Sequence, residues 1–283
     1  MTIEIRRPQQ ENVPEVARIL YEAFNDIATR HGFPPDFPSV EFCAGVVGLL
    51  LGNEQVYAAG AFDGSRPRGS NFMNMWGDVA GIGPISVDLD KQGAGIGRTL
   101  MQDALRRAGE SGFEMVRLMQ DAFNMQSLAL YASLGFVTKE PVAYMVLSDA
   151  GPVDANFRPA TAADYDGMDA LCREIYHVSR RGEYAALQGA GFPIFVLDRG
   201  RISGYLVGTA LGHAVAEGDA DLLALWRGMG ATVAGSTANC CLRQGELYRR
   251  ALGEGHRNQK VMNLMAFGAY EEPVGTWAPS VMF

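Results

Sequence analysis

The sequence predicts an α/β protein, a mixed α+β fold of two tandem domains with mixed, mostly antiparallel sheets. An apolar run at 82–87 leads through a glycine-rich turn into an amphipathic helix, which makes a strand–loop–helix unit. Strand candidates joined by a Gly/Pro turn precede this unit, as in a mixed sheet. The opening of the chain recurs 151 residues later, and a repeat of domain length indicates two copies of one fold.

The repeat also predicts the domain boundary. Arg7-Pro8 opens an amphipathic helix in the first copy, and Arg158-Pro159 opens a similar helix in the second. The segment 148–154 between the copies is short, polar and rich in Gly and Pro, as linkers are. Because 283 residues exceed one typical domain, we expect a first domain at residues 1–150 and a second at 151–283.

Each copy should contain both helices and strands. In the first copy, apolar spacing predicts helices over 14–29 and 40–51, and β-rich runs predict strands at 55–62, 71–78, 115–119 and 142–147. In the second copy, the same reasoning predicts helices at 219–229 and 240–252 and strands at 194–197, 202–209, 232–234 and 264–267.

The strand–loop–helix unit spans residues 82–101 and has a chemical use. Its glycine cluster, Gly93, Gly95 and Gly97, precedes the helix. A helix N-terminus presents unpaired N–H groups and partial positive charge. Glycines lack the β-carbons that would keep an anion away from those amides. The unit therefore predicts a phosphate or pyrophosphate site.

Two common phosphate-binding motifs do not fit this loop. A P-loop needs a Gly-Lys-Ser/Thr ending, whereas Gly97 is followed by Arg-Thr. A dinucleotide fingerprint needs a third glycine where Leu100 stands, and an acidic residue about twenty positions on, where Arg117 stands. The run from Gln92 to Gly97 instead reads Gln-Gly-Ala-Gly-Ile-Gly.

A second motif follows the strand predicted at 115–119. From Asn124 through Tyr131 to Phe136, the chain reads Asn-x-x-Ser-x-x-x-Tyr-x-x-x-Gly-Phe. The two motifs, in this order and each after a strand, resemble the acetyl-CoA pyrophosphate loop and the second cofactor helix of the GNAT N-acetyltransferase superfamily. The sequence resembles a tandem member of this superfamily, with intact motifs in the first domain only.

The resemblance implies a place for each part of acetyl-CoA, the expected co-substrate. The fourth and fifth strands would splay apart, with acetyl-CoA in the wedge between them. Amides at the end of the fourth strand would bind the oxyanion, and the glycine loop would bind the pyrophosphate. The cofactor-binding residues at the matching positions are Ile85, Ser86, Val87, Gln92, Gly93, Ala94, Gly95, Ile96, Gly97, Arg98, Asn124 and Ser127.

The resemblance also implies a general acid, whereas the general base stays open. Tyr131 matches the position whose hydroxyl protonates the departing CoA thiolate. The best single candidate for the base is Asp78, at the end of a predicted strand on the cleft side. The alternatives are an ordered water and four other carboxylates, those of Glu22, Asp26, Asp121 (which could equally cap the following helix) and the C-terminal Phe283.

The second copy lacks the glycine loop. Residues 212–221 carry three acidic side chains where the loop would stand, and these would repel a phosphate. We therefore expect that the second domain has lost cofactor binding. It would instead cover the first site, shape the amine pocket or form a homodimer.

Composition excludes several classes of partner. A formal charge of −8 argues against nucleic acid, which needs a basic face. No apolar run approaches the roughly 20 residues that span a membrane, and the chain does not open with a signal peptide. The four cysteines and four histidines show no metal-ligand spacing, so we expect no metal and a cytoplasmic location.

These observations predict an N-acetyltransferase that transfers an acetyl group from acetyl-CoA to a primary amine of a small molecule or peptide. The alternative from another class is a non-enzymatic acyl-CoA-binding sensor on the same fold. A further alternative is transfer of a longer acyl group, for which Met73, Met75 and Met119 would line the pocket. The amine stays unidentified, because acceptor specificity lies in loops rather than in the fold.

Overall fold

A computed structural model describes residues 3–149, 151–208 and 212–282. In the first half of the chain the helices are α1 (Val13–Arg30), α2 (Val40–Gly52), α3 (Ile96–Glu110) and α4 (Met125–Ser133). The strands of this half are β1 (Ile3–Arg6), β2 (Val56–Asp63), β3 (Arg66–Asn74), β4 (Ala80–Val87), β5 (Met115–Asp121) and β6 (Val137–Val146).

The second half repeats this alternation of helices and strands. Its helices are α5 (Tyr165–Tyr176), α6 (Arg181–Gly189), α7 (Asp219–Thr232) and α8 (Gly245–Gly253). Its strands are β7 (Phe157–Pro159), β8 (Ile194–Asp198), β9 (Ile202–Val207), β10 (Ala214–Ala216), β11 (Thr237–Cys241), β12 (Arg257–Gly268) and β13 (Thr276–Ala278). The mixed fold is thus confirmed, and its sheets are mostly antiparallel.

Two strands of the second half, β11 and β12, join the sheet of the first. The larger sheet has the order β1-β2-β3-β4-β5-β12-β6-β11, so β12 lies between β5 and β6. Leu264 of β12 pairs with Met119 on one side and with Glu140 on the other, both antiparallel. The smaller sheet has the order β13-β10-β9-β8-β7. The sheets therefore do not divide the chain at residue 150, and the predicted boundary there stays a prediction.

The fourth and fifth strands splay apart, as the resemblance implies. They are parallel and pair at Ala80 with Val116 and at Gly81 with Arg117. On its other side, β4 stays paired with β3 as far as Val87. Within the described residues, β4 beyond Gly81 has no ladder partner on its β5 side, and a cleft opens there.

Several predicted boundaries are wrong, and three of them bear on the fold. The strand predicted at 71–78 ends at Asn74. The strand predicted at 232–234 lies instead at 237–241, and the helix predicted over 240–252 begins at Gly245. Cys240 and Cys241 are fully buried opposite two residues of β6, and this pairing overrides their helical spacing. Position 209, the predicted end of β9, lies outside the described residues.

One apolar core joins the two halves. It includes Leu20 of α1 and Phe72 of β3 from the first half, and Tyr176 and Trp277 from the second. In the described part of the chain, no helix is long and apolar enough to cross a membrane.

The insertion of β12 predicts that its core residues stabilise the whole sheet. Leu264 is fully buried, so we expect Leu264→Ala to lower the free energy of unfolding by about 2–5 kcal/mol. Leu252, 42% exposed, is the matched control, and Leu252→Ala should change that free energy by no more than about 0.5 kcal/mol. Chemical denaturation of the full chain measures both. Equal effects of the two substitutions would contradict the insertion.

Candidate active site

A cavity of about 880 Å³ lies in the cleft between β4 and β5. Its volume is within the range of small-molecule and cofactor sites. The first half of the chain contributes residues of α1, α2, β4, β5 and α4 to its walls. The second half contributes Ala186 and Leu187 of α6, Lys260 of β12, and Val281 and Met282 near the end of the chain. The cavity is therefore built by both halves.

The glycine loop forms one end of the cavity. Gly93 and Gly95 have positive φ angles of 79° and 86°, in the left-handed region that favours glycine. Gly95 is the N-cap of α3, and the first amide bonded within the helix is that of Thr99, which donates to the Gly95 carbonyl at 3.1 Å. The amides before Thr99 in the first turn have no carbonyl partner within the helix. They lie at the positive end of the helix dipole. This end of the cavity suits an anion.

The structure brings most of the predicted cofactor residues together. Gln92 of the loop lies close to β4, with its side-chain amide 3.4 Å from the Val87 carbonyl. Ala94, by contrast, does not line the cavity. The predicted residues that do are Ile85, Ser86, Val87, Gln92, Gly93, Gly95, Ile96, Gly97, Arg98, Asn124 and Ser127.

The start of α4 is fixed by a local hydrogen-bond network. The Asn124 side chain caps the helix by accepting a bond from the Ser127 amide at 3.1 Å. The Gln120 side-chain amide donates to the Ser127 hydroxyl at 3.0 Å and to the Asn124 carbonyl at 2.7 Å. This network orients α4 so that Tyr131 lines the cavity.

Tyr131 is a buried and protonated side chain in the cavity wall. Its side chain is 7% exposed. Burial, and secondarily the negative charge of Asp121, raises the pKa of its hydroxyl above the ordinary value. The hydroxyl therefore keeps its proton at neutral pH.

The predicted placement of Asp78 is wrong. It lies in the loop between β3 and β4 rather than at a strand end, and it does not line the cavity. Its carboxylate accepts a bond from the Ser179 amide at 2.6 Å and lies 3.7 Å from the Arg173 guanidinium. Asp78 therefore links the two halves of the chain, since these contacts turn it towards the second half.

Two other candidate bases lie on α1, away from the cavity wall. Glu22 and Asp26 pair with Arg18 and Arg30 along α1 and do not line the cavity. Phe283 lies outside the described residues.

Sequence reasoning missed a cluster of three charged side chains on the cavity wall. Lys260 Nζ lies 2.5 Å from Asp36 Oδ1 and 2.8 Å from Asp121 Oδ1. Burial raises the pKa of Asp121, although the neighbouring Lys260 opposes that shift. Burial lowers the pKa of Lys260, but the two carboxylates outweigh it and raise that pKa overall. The three residues lie far apart in the chain, so no sequence pattern joins them.

In the described residues of the second half, the features of this cleft are missing. Where β4 faces the open cleft, β10 pairs with β13, and the Gln244 side-chain amide donates to the Trp277 carbonyl of β13 at 2.7 Å. Gln244 stands at the N-cap position of α8, as Asn124 does in α4, but its side chain makes no capping bond. The residue seven positions after it is Ala251 rather than a tyrosine. In the residues described, no group of three or more His, Cys, Asp or Glu side chains could hold a metal ion.

Comparisons with known proteins agree with this geometry. Residues 15–136 match the Acetyltransferase (GNAT) family. A comparison with proteins of curated function found no match.

The fold of nearly the whole chain is similar to that of several solved structures. For a putative acetyltransferase from Pyrococcus horikoshii, the TM-score is 0.80 at 15% identity, covering 97% of this chain and 92% of that chain. For a GCN5-related N-acetyltransferase from Sphaerobacter thermophilus, the TM-score is 0.63 at 17% identity, covering 97% and 98%. For a tandem GNAT protein from the clavulanic acid biosynthesis pathway, it is 0.59 at 13% identity, covering 96% and 100%.

At these identities the solved structures show the fold alone. The protein is an acyltransferase, and the segment that matches the Acetyltransferase (GNAT) family, residues 15–136, lies in its first half.

Proposed function

We propose that the protein is an N-acetyltransferase that transfers the acetyl group of acetyl-CoA to a primary amine of a small molecule or peptide. The observation that carries the proposal is the cleft between β4 and β5. It has an anion-binding helix N-terminus at one end and a buried, protonated Tyr131 in its wall. The transfer needs a site that binds pyrophosphate at one end of the cleft and a proton donor in the wall of the cleft.

The residues at the glycine end fit the pyrophosphate of CoA. Gly93, Gly95 and the first residues of α3 line the cavity, and so do the cationic residues Lys91 and Arg98. Helix N-termini and cations together favour bound phosphate groups. The unpaired edge of β4 offers backbone groups to the amides of the pantetheine arm.

The transfer then needs one new bond and one broken bond. The amine nitrogen attacks the thioester carbonyl carbon, and the oxyanion that forms is stabilised by backbone N–H donors near Ile85–Val87. The C–S bond breaks, and Tyr131 gives its proton to the CoA sulfur. The acceptor enters as an ammonium ion and loses two protons overall. One is released to solvent before the nitrogen attacks, and the other restores the proton of Tyr131.

The structure favours acetyl transfer over the two alternatives. A non-enzymatic CoA sensor needs the glycine loop, but it does not need a buried tyrosine in the cleft wall. For a longer acyl group, three methionines would have to line the cavity. Met119 does, whereas Met73 is fully buried in the core and Met75 does not line it.

The glycine loop can be tested by binding alone. Gly95→Ala places a β-carbon on a residue with φ of 86°, and this left-handed conformation costs an L-residue about 1–2 kcal/mol. We expect the loop to relax away from the site and the Kd for CoA to rise about tenfold, measured by calorimetry. Gly109→Ala, in the last turn of α3 with open space around it, is the control and should leave the Kd unchanged. An unchanged Kd in Gly95→Ala would refute this role for the loop.

The general acid can be tested by kinetics. We expect Tyr131→Phe to lower kcat by roughly 10²- to 10⁴-fold, because the thiolate then leaves without a proton donor. The Kd for acetyl-CoA should not change. A thiol-release assay with a panel of amines measures the rate, and Tyr248→Phe on α8 is the matched control. Full activity of Tyr131→Phe would exclude Tyr131 as the acid.

A further inference from the structure

The charged cluster on the cavity wall consists of two carboxylates and one ammonium. Asp36 and Asp121 both contact the single ammonium of Lys260, so with both carboxylates ionised the three side chains carry a net charge of −1. All three are largely buried, with side-chain exposures of 19%, 10% and 9% for Asp36, Asp121 and Lys260. Within the described residues, Asp36 Oδ2 has no hydrogen-bond partner. Because an uncompensated buried charge is costly, this cluster favours the binding of a further cation.

The loop that carries Asp36 is held in place. The Asn25 side chain bonds both backbone groups of Phe37, at 2.9 Å to its carbonyl and 3.1 Å to its amide. The Phe37 ring packs edge-on against Phe24 of α1 at 5.3 Å. Asp36 therefore faces the cavity from a fixed position rather than from a free loop.

The walls around this cluster are apolar. They are formed by α1 and α2 of the first half and by α6 and the end of the chain from the second. Phe42 and Leu49 of α2 are 51% and 48% exposed, and both line the cavity. The other apolar side chains of these walls include Phe24, Ile27, Val46, Leu187, Phe192 and Val281.

The remaining charges of the cavity lie elsewhere. Lys91 and Arg98 belong to the glycine end, and the Arg30 guanidinium is paired with Asp26 at 2.6 Å. Among the described lining residues, Asp36 and Asp121 are the acidic ones. A polycation such as a polyamine or an aminoglycoside would therefore leave most of its charges against apolar walls, where burying them is costly.

We propose that the acceptor is a monoamine with a compact apolar body, such as an arylalkyl or branched alkyl amine. Its ammonium group binds at Asp36 and Asp121 beside Lys260, and its body packs against the walls formed by α1, α2 and α6. This inference rests on the proposed function and names the acceptor class of that same site. It assigns Asp36 and Lys260 as specificity-determining residues, one from each half of the chain.

The first test compares acceptors with the full-length protein. Phenethylamine and isoamylamine should be acetylated with a higher kcat/KM than spermidine or kanamycin in a thiol-release assay. A preference for either polycation would overturn the inference while leaving the proposed function intact. Absence of transfer to any amine would instead count against the proposed function, and the binding measurement below would then decide the inference by itself.

The second test removes one charge of the cluster. Asp36→Asn keeps the side-chain size and should raise the KM and the Kd for phenethylamine by about 10- to 100-fold, because a hydrogen bond to a charged group is lost. Calorimetry measures the Kd without any requirement for turnover. The KM for acetyl-CoA should not change. Asp166→Asn, at a carboxylate whose side chain is 88% exposed and which does not line the cavity, is the charge-matched control.

A neutral analogue distinguishes charge recognition from a general disturbance of the pocket. Phenethyl alcohol has the same apolar body as phenethylamine but no ammonium group. Its inhibition constant should be the same for the wild type and for Asp36→Asn. If the alcohol and the amine weaken together, or if the amine binds Asp36→Asn as tightly as the wild type, the charged cluster is not the ammonium site and the inference fails.

Discussion

The insertion of β12 between β5 and β6 is the contact on which both the sheet and the cavity depend. Backbone pairing on both edges of β12 joins the two halves of the chain into one eight-stranded sheet. The same strand carries Lys260, whose ammonium lies between Asp36 and Asp121 of the first half. Without that ammonium, two neighbouring carboxylates would be buried with no compensating charge. The insertion of β12 thus supplies part of the cavity wall and the positive charge of Lys260 to the site.

The cleft forms because β4 and β5 pair over only a short part of their length. β4 and β5 pair at two positions and then separate, so in the described part of the chain one edge of β4 beyond Gly81 has no strand partner. The glycine loop follows directly after β4, and the helix that begins at Ile96 directs its first amides towards the same space. Strand, loop and helix therefore place a polar backbone edge and an anion site along one continuous cleft.

The two halves have diverged in how they use the same architecture. In the first half the place beside β4 is open, whereas in the second half β13 pairs with β10 at the corresponding place. Gln244 bonds the backbone of β13, and Asp219 at the start of α7 accepts a bond from the Thr276 hydroxyl at 2.7 Å. The second half thereby contributes walls to the first site instead of a cleft of its own.

The sequence by itself determined the local features of the site, because these depend on residues close together in the chain. The glycine loop and the position of Tyr131 follow from spacing within single elements. The cap of α4, predicted from the sequence as one role for Asp121, is made by Asn124 instead. Tertiary structure alone decided the position of β12, the orientation of Asp78 towards Ser179 and the cluster at Lys260. Distant strands pair, and distant residues form ion pairs, only where their surfaces meet in space. No local sequence pattern specifies which surfaces meet.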